Sequence, residues 1–195
     1  MSSSYDVEAP VYDESRGGRA RARDAALAVS RLVRPPGRLL DVAGGTGIVS
    51  AELAALGFDT VVADLSPGVL ALAVRRLPGR VLVASRERLP VADACVDVVT
   101  TVWLLHLIPP VLADAVVAEA SRVLRPGGTF VTTVDKAQAH GRRGGPADDR
   151  DRVTAVAGAH GLSAAGWTSF TGASPWGSAT RSDPVFPLVA YRRAG

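Results

Sequence analysis

Read only for apolar and polar positions, the chain alternates compact apolar runs with amphipathic stretches. After a polar start, Ala25, Leu27, Val29, Leu32 and Val33 predict a helix over residues 20–33, with the arginines from Arg16 to Arg23 at its solvated beginning and Pro35-Pro36-Gly37 stopping it. Residues 39–43 form an apolar run that ends in a glycine-rich turn, and Val49, Leu53 and Leu56 then share one helical face over residues 46–56. The unit repeats as a β-branched strand over 60–63, a turn, and a helix over 68–77 that Pro78-Gly79 ends. A third strand is predicted over 80–84 and a fourth over 96–102, separated by an irregular stretch. Leu112, Val116, Val117, Ala120, Val123 and Leu124 recur at helical spacing, and Pro126-Gly127-Gly128 turns the chain into a fifth strand over 129–134. The glycine-rich, charged segment 135–150 reads as a mobile loop. Beyond it the pattern predicts a helix over 151–160 and strands over 163–170 and 185–192.

Apolar strands that are each followed by a helix indicate a doubly wound α/β fold, a mostly parallel seven-stranded sheet covered on both faces. The last two strands have no helix between them, so they are expected as an antiparallel hairpin at one edge. Ligands of such sheets bind outside the carboxyl ends of the strands, where the strand order reverses. That rule directs residues 43–47, Asp64, Ser85 and Thr101 to one crevice.

Composition narrows the class. With 195 residues, 47% of them hydrophobic, the chain has apolar surface for one sizeable core, and a single domain over 1–195 is expected. Lys136 is the sole lysine among 22 basic residues, yet the net charge is only +3 because acidic residues interleave with the arginines. Such a balance gives weak support to a nucleic-acid or membrane partner. Cys95 is the only cysteine and sits in no Cys/His cluster, so neither a disulfide nor a metal site is expected. No apolar stretch is long enough to cross a bilayer, and a cytoplasmic location is the expectation.

The segment Leu39-Leu40-Asp41-Val42-Ala43-Gly44-Gly45-Thr46-Gly47 resembles the first motif of the class I S-adenosylmethionine-dependent methyltransferases. Three further segments agree in order. Val61-Val62-Ala63-Asp64-Leu65-Ser66 is similar to the second-strand motif, residues 89–99 to the approach to strand four, and Arg122-Val123-Leu124-Arg125-Pro126-Gly127-Gly128 to the entry to strand five. Four motifs at compatible spacings over residues 39–134 are specific where one alone is not. The resemblance implies a Rossmann-like methyltransferase fold, S-adenosylmethionine as methyl donor with S-adenosylhomocysteine as product, and a small-molecule acceptor at O, N or C. Ala43 in place of the usual first glycine is a variant similar to the ubiquinone/menaquinone C-methyltransferases.

Site residues follow from the same resemblance. Ala43, Gly44, Gly45 and Gly47 line the loop that receives the methionine part, where glycine backbone passes close to a ligand and a helix N-terminus presents free N–H groups. Asp64 accepts from the ribose hydroxyls, with Leu65 beside it. Asp41 either holds the donor's amino group, directly or through water, or only braces the turn. Strand three is followed by Ser85 and Arg86, where the family often has an Asp that binds adenine. These two either contact the base or are ordinary turn residues. Thr101 completes the cofactor set at the end of strand four. Trp103 reads as acceptor wall or core, and His106 as general base or packed histidine. Tyr12 and Arg16 resemble leader residues that close over the cofactor, and residues 1–37 are expected to cover the active site. No metal is required, and oligomeric state is unreadable.

Other functions fit less well. Gly45-Thr46-Gly47 followed by Ser50 imitates a dinucleotide fingerprint, which would make the chain an oxidoreductase, but its third glycine is missing. The arginine content would suit an RNA or DNA methyltransferase, yet Thr101-Val102-Trp103-Leu104 lacks the signature of amino-group methylation on bases. A relative that binds the cofactor without transferring methyl fits the same motifs.

Overall fold

The computed structural model describes residues 13, 14, 17–136, 147–172 and 184–195. Tyr12, Arg16, His140 and most of the 135–150 loop therefore lie outside the described residues. In chain order the elements are α1 (Gly18–Leu32), β1 (Arg38–Val42), α2 (Ile48–Ala55), β2 (Asp59–Asp64), α3 (Pro67–Arg76), β3 (Val81–Val83), β4 (Val96–Thr101), a 3₁₀ turn (Leu105–Leu107), α4 (Pro110–Val123), β5 (Leu124–Thr133), α5 (Arg150–Ala159), β6 (Leu162–Thr171) and β7 (Val185–Arg193).

The seven strands form one sheet in the order β3-β2-β1-β4-β5-β7-β6. β1 to β5 pair in parallel, and β7 is antiparallel to both β5 and β6, which confirms the expected doubly wound sheet with a hairpin at one edge. Strand order reverses between β1 and β4, so the register that sets Asp41 beside Thr100 also opens the crevice between their carboxyl ends.

Because side chains alternate across a strand, each strand feeds two cores. On one face Leu39, Val98, Val131, Phe186 and Leu188 pack against Ala25 and Val29 of α1 and Leu53 of α2. Val62 on the same face meets Leu70 and Ala73 of α3. On the other face Leu40, Val99, Phe130 and Tyr191 pack against Val116 and Val117 of α4 and Val153 of α5. The helices start where their sequences dictate. Pro67 and Pro110 occupy first-turn positions that need no N–H, and Asp149 caps α5 by accepting from the Arg152 amide at 2.9 Å.

The predicted turn at Pro126-Gly127-Gly128 is present, but inside β5. Pairing shifts from Val96 with Leu124 to Val98 with Thr129, so the Pro-Gly-Gly segment bulges out between two paired stretches, with Gly127 at φ 77°. A Cβ at Gly128 would sit 2.8 Å from the Arg125 carbonyl, which only glycine avoids. Arg122 then joins two of the sequence motifs. Its guanidinium donates to the Leu89 and Val91 carbonyls and pairs with Glu119 and Asp93, while Glu119 accepts from the Leu89 amide. The irregular stretch before β4 is therefore fixed to α4, although no helix forms there.

Candidate functional site

The β1–α2 turn carries three left-handed residues, Ala43 (φ 56°), Gly45 (φ 57°) and Gly47 (φ 70°). Gly44 lies directly over Asp41: a Cβ there would fall 2.7 Å from the carboxylate and 3.0 Å from Val62. Among the described residues nothing lies within 4 Å of a Cβ built on Gly45, so that face of the turn can receive a ligand. Asp64, at the end of β2, ties this turn to its own. One carboxylate oxygen accepts the Gly45 amide at 3.0 Å and the other the Ser66 amide at 2.9 Å. Each oxygen keeps a second acceptor site for an incoming hydroxyl. Leu65, next to Asp64 in sequence, and Val83, the partner of Asp64 in the β2–β3 register, stand exposed at 58% and 65%. Exposed apolar side chains at a strand-end crevice are apt to receive a planar apolar group.

Asp41 is sealed beneath the turn. Its oxygens accept from the Thr100 hydroxyl at 2.7 Å and from the Ser50 hydroxyl. Burial pushes the carboxyl up to about 6, with the two hydroxyls opposing that rise and Asp64 adding to it. These contacts tie β1 to α2 and β4, with the carboxyl just under the loop.

A strap crosses the turn from outside. Asp13 accepts from the Thr46 hydroxyl at 2.6 Å and from Arg76 at 2.6 Å, and Arg76 also donates to the Thr46 carbonyl at 2.6 Å. The remaining predicted residues are distributed as follows. Ser85 and Arg86 lie in a tight turn closed by the Arg88 amide on the Ser85 carbonyl at 3.1 Å, and the Ser85 hydroxyl holds the Glu87 carboxyl below its usual range. Thr101 is buried and donates to the Thr132 hydroxyl at 2.8 Å, while its neighbour Thr100 donates to Asp41. Trp103 adopts φ 63°, its amide held by the Thr133 hydroxyl at 2.8 Å. His106 lies on the 3₁₀ turn with Nε2 2.7 Å from the Lys136 amine.

Trp103 packs against aromatic core residues and borders a cleft. Its ring meets Phe170 and Phe186 edge-on at 5.7 and 5.8 Å, and its other side borders a cleft of about 80 Å³ shared with Arg21, Ile48, Leu107 and Lys136. The Arg21 guanidinium lies 4.1 Å from the Trp103 ring centre and 4.6 Å from that of Phe186. The leading part of α1 thus borders the cleft through Gly18, Arg21 and Ala22. A broader groove of about 640 Å³ lies elsewhere, between α1 and the far end of α2, away from the glycine turn. Among the described residues no group of His, Cys, Asp and Glu is arranged to hold a metal.

The arrangement matches known proteins. A profile described as a methyltransferase domain covers residues 40–132, the stretch that contains the turn, Asp64 and β4. Over those residues, just under half of its length, the chain carries a methyltransferase domain. Demethylmenaquinone methyltransferase of Beutenbergia cavernae is 44% identical over 99 residues, 50% of this chain and 40% of that protein. Ubiquinone/menaquinone biosynthesis C-methyltransferase of Methylobacterium nodulans is 39% identical over 140 residues, 65% of this chain and 53% of that protein. The chain spans about half the length of the curated relatives it matches. In fold, the chain resembles 1,6-didemethyltoxoflavin-N1-methyltransferase of Burkholderia thailandensis, a structure with S-adenosylhomocysteine bound. The TM-score is 0.72 at 18% identity, over 98% of this chain and 84% of that one.

Of the residues that sequence reasoning missed, one leaves an identifiable signal. Arg21 was grouped with the solvated arginines, yet it precedes Ala25 and Ala28 by four and seven positions and so lies on the buried stripe of α1. Ser50 had no signal apart from its place one turn into α2. Asp13 and Lys136 come from segments without periodicity.

Proposed function

We propose that this protein transfers a methyl group from S-adenosylmethionine to a small-molecule acceptor. The observation that carries the reading is Asp64, which projects at the end of β2 with both oxygens already aligned by the Gly45 and Ser66 amides. A vicinal diol can bridge two such oxygens, and Leu65 and Val83 flank the position where the attached base would lie. The open side of Gly45 takes the amino-acid part. The buried charge of Asp41 below Gly44 favours an ammonium group above it, since little solvent screens the two. Arg86 and Ser85, just beyond β3, are proposed to border the base, and Tyr12 and Arg16 of the leader to cover it.

The bound donor supplies an activated methyl on a sulfonium, so the protein's own work is alignment and exclusion of water. Trp103, held in its left-handed conformation by Thr133, forms the wall opposite α1 and restricts how an acceptor can approach. His106 is open to two readings, general base or packed histidine. Its Nε2 meets Lys136, so proton abstraction at that atom requires the lysine to swing away, and we assign His106 to holding Lys136 in place. Sequence similarity to quinone-pathway methyltransferases supports an aromatic or quinol-like acceptor. No described helix is long and apolar enough to cross a membrane, in keeping with a small-molecule acceptor met in solution.

Calorimetric titration with S-adenosylhomocysteine and, separately, NAD and NADP tests this reading. Saturable binding of the homocysteine nucleoside alone is expected; binding of NAD alone would overturn it.

A further inference from the structure

Three residues from three segments close a triangle of contacts on the outer side of the glycine turn. Asp13 precedes α1, Thr46 belongs to the turn, and Arg76 ends α3. The Thr46 hydroxyl donates to one Asp13 oxygen at 2.6 Å, the Arg76 guanidinium donates to the other at 2.6 Å, and its second terminal nitrogen donates to the Thr46 carbonyl at 2.6 Å. Thr46 is buried, so water has little access to replace these partners. The other end of the same peptide is held as well, because the Gly47 amide donates to the Gly44 carbonyl at 3.0 Å. The peptide plane between residues 46 and 47 is thus fixed at both its carbonyl and its N–H. Ala73 lies three residues before Arg76 and so on the same face of α3, and it backs the turn: a Cβ on Gly47 would fall 3.1 Å from its methyl.

Resting on the methyltransferase reading above, we infer that Asp13 and Arg76 are positioning residues for the methyl donor, acting through Thr46 on the part of the turn that takes the donor's amino-acid end. Gly44, Gly45 and Gly47 give the turn more backbone freedom than other residues would, and a loose turn would lose that freedom only as the ligand binds. The contacts from Asp13 and Arg76 impose the order beforehand, so binding does not carry that cost. The ribose end depends less on the triangle, because Asp64 is held by its place in β2 and by the Ser66 amide as well as by Gly45. Loss of the triangle therefore weakens the grip on the amino-acid end and spares the nucleoside end. Asp13 and Arg76 both lie outside the four motif segments that carry the family resemblance, and the planar guanidinium of Arg76 serves two acceptors on different segments at once, which a lysine amine matches poorly.

Calorimetric titrations of the full chain with S-adenosylhomocysteine and with 5′-methylthioadenosine, which keeps the nucleoside but lacks the amino-acid end, test this. In Asp13→Ala, Arg76→Gln and Thr46→Val, S-adenosylhomocysteine affinity should fall about tenfold, the effect of about one lost hydrogen bond, while methylthioadenosine affinity stays within about twofold of the parent. Thr46→Ser keeps the hydroxyl and should bind both ligands like the parent. If Arg76→Gln or Thr46→Val fails to fold, Asp13→Ala, changed outside every helix and strand, decides alone. If methylthioadenosine binds the parent too weakly to titrate, the contrast between Thr46→Ser and Thr46→Val decides. Unchanged S-adenosylhomocysteine affinity in the folded variants, an equal loss for both ligands, or a Thr46→Ser as weak as Thr46→Val would overturn the proposal. A parent that binds no S-adenosylhomocysteine would instead strike the methyl-donor reading, and this inference with it.

Discussion

The Gly45 amide donates to the Asp64 carboxylate across 3.0 Å, so the turn after β1 and the end of β2 form one rigid unit. If that carboxylate also holds the donor's ribose, Asp64→Ala removes a ligand contact and loosens the turn together. S-adenosylhomocysteine affinity should fall by about 1 to 3 kcal/mol, roughly 5- to 150-fold, as measured by calorimetry. Unchanged affinity would remove Asp64 from the site.

Asp41 makes stability depend on pH in a calculable direction. Its carboxyl titrates near 6 in the folded chain against an ordinary 3.8, so between these values the folded state binds the extra proton. Stability should therefore decline as pH rises through that window, and the full cost, on the order of 3 kcal/mol, applies above about 6. Asp41→Asn has no such titration. Urea denaturation at pH 4 and pH 7.5 should show the variant gaining on the parent at the higher pH; a difference constant with pH would contradict the burial argument.

How legible the molecule was depended on what kind of signal each part leaves. Strands β1, β2 and β4 and their helices were readable because buried parallel strands leave unbroken apolar runs and their helices leave a periodic stripe. Boundaries near the Pro-Gly-Gly bulge were not, because pairing resumes on both sides of a turn that local sequence marks as a strand end. The glycine turn and Asp64 were legible as a motif. The partners of Asp41 were not, since Ser50 and Thr100 reach it only through the sheet register and the first turn of α2. Lys136 against His106 joins residues 30 apart in sequence through the parallel pairing of β4 and β5, a contact with no one-dimensional trace.

The turn residues should respond unequally to substitution. Gly44→Ala puts a methyl 2.7 Å from the Asp41 carboxylate and should cost about 1 to 3 kcal/mol of stability while abolishing nucleoside binding. Ala43, in contrast, already sits at φ 56°. Relief of left-handed strain, about 1 to 2 kcal/mol, exceeds the added chain entropy of glycine, about 0.5 to 1 kcal/mol, so Ala43→Gly should raise the melting temperature slightly. A melting point lowered by Ala43→Gly would show that its methyl packing outweighs the strain.

His106 separates two roles by a conservative change. If it holds Lys136, His106→Gln keeps an acceptor oxygen for the ammonium and should retain turnover within a few-fold of the parent, whereas His106→Ala should lose more. A general base contributes about 10²- to 10⁴-fold. Loss of that size in both variants, once an acceptor is known, would restore His106 as the base.

The central claim is that one nucleoside spans the glycine turn and Asp64. A crystal structure with S-adenosylhomocysteine should show both ribose hydroxyls on the Asp64 carboxylate, the amino-acid part along Gly44 to Gly47, and the base beside Leu65 and Val83. Finding the nucleoside in the groove between α1 and the end of α2, or with its ribose away from Asp64, would contradict it.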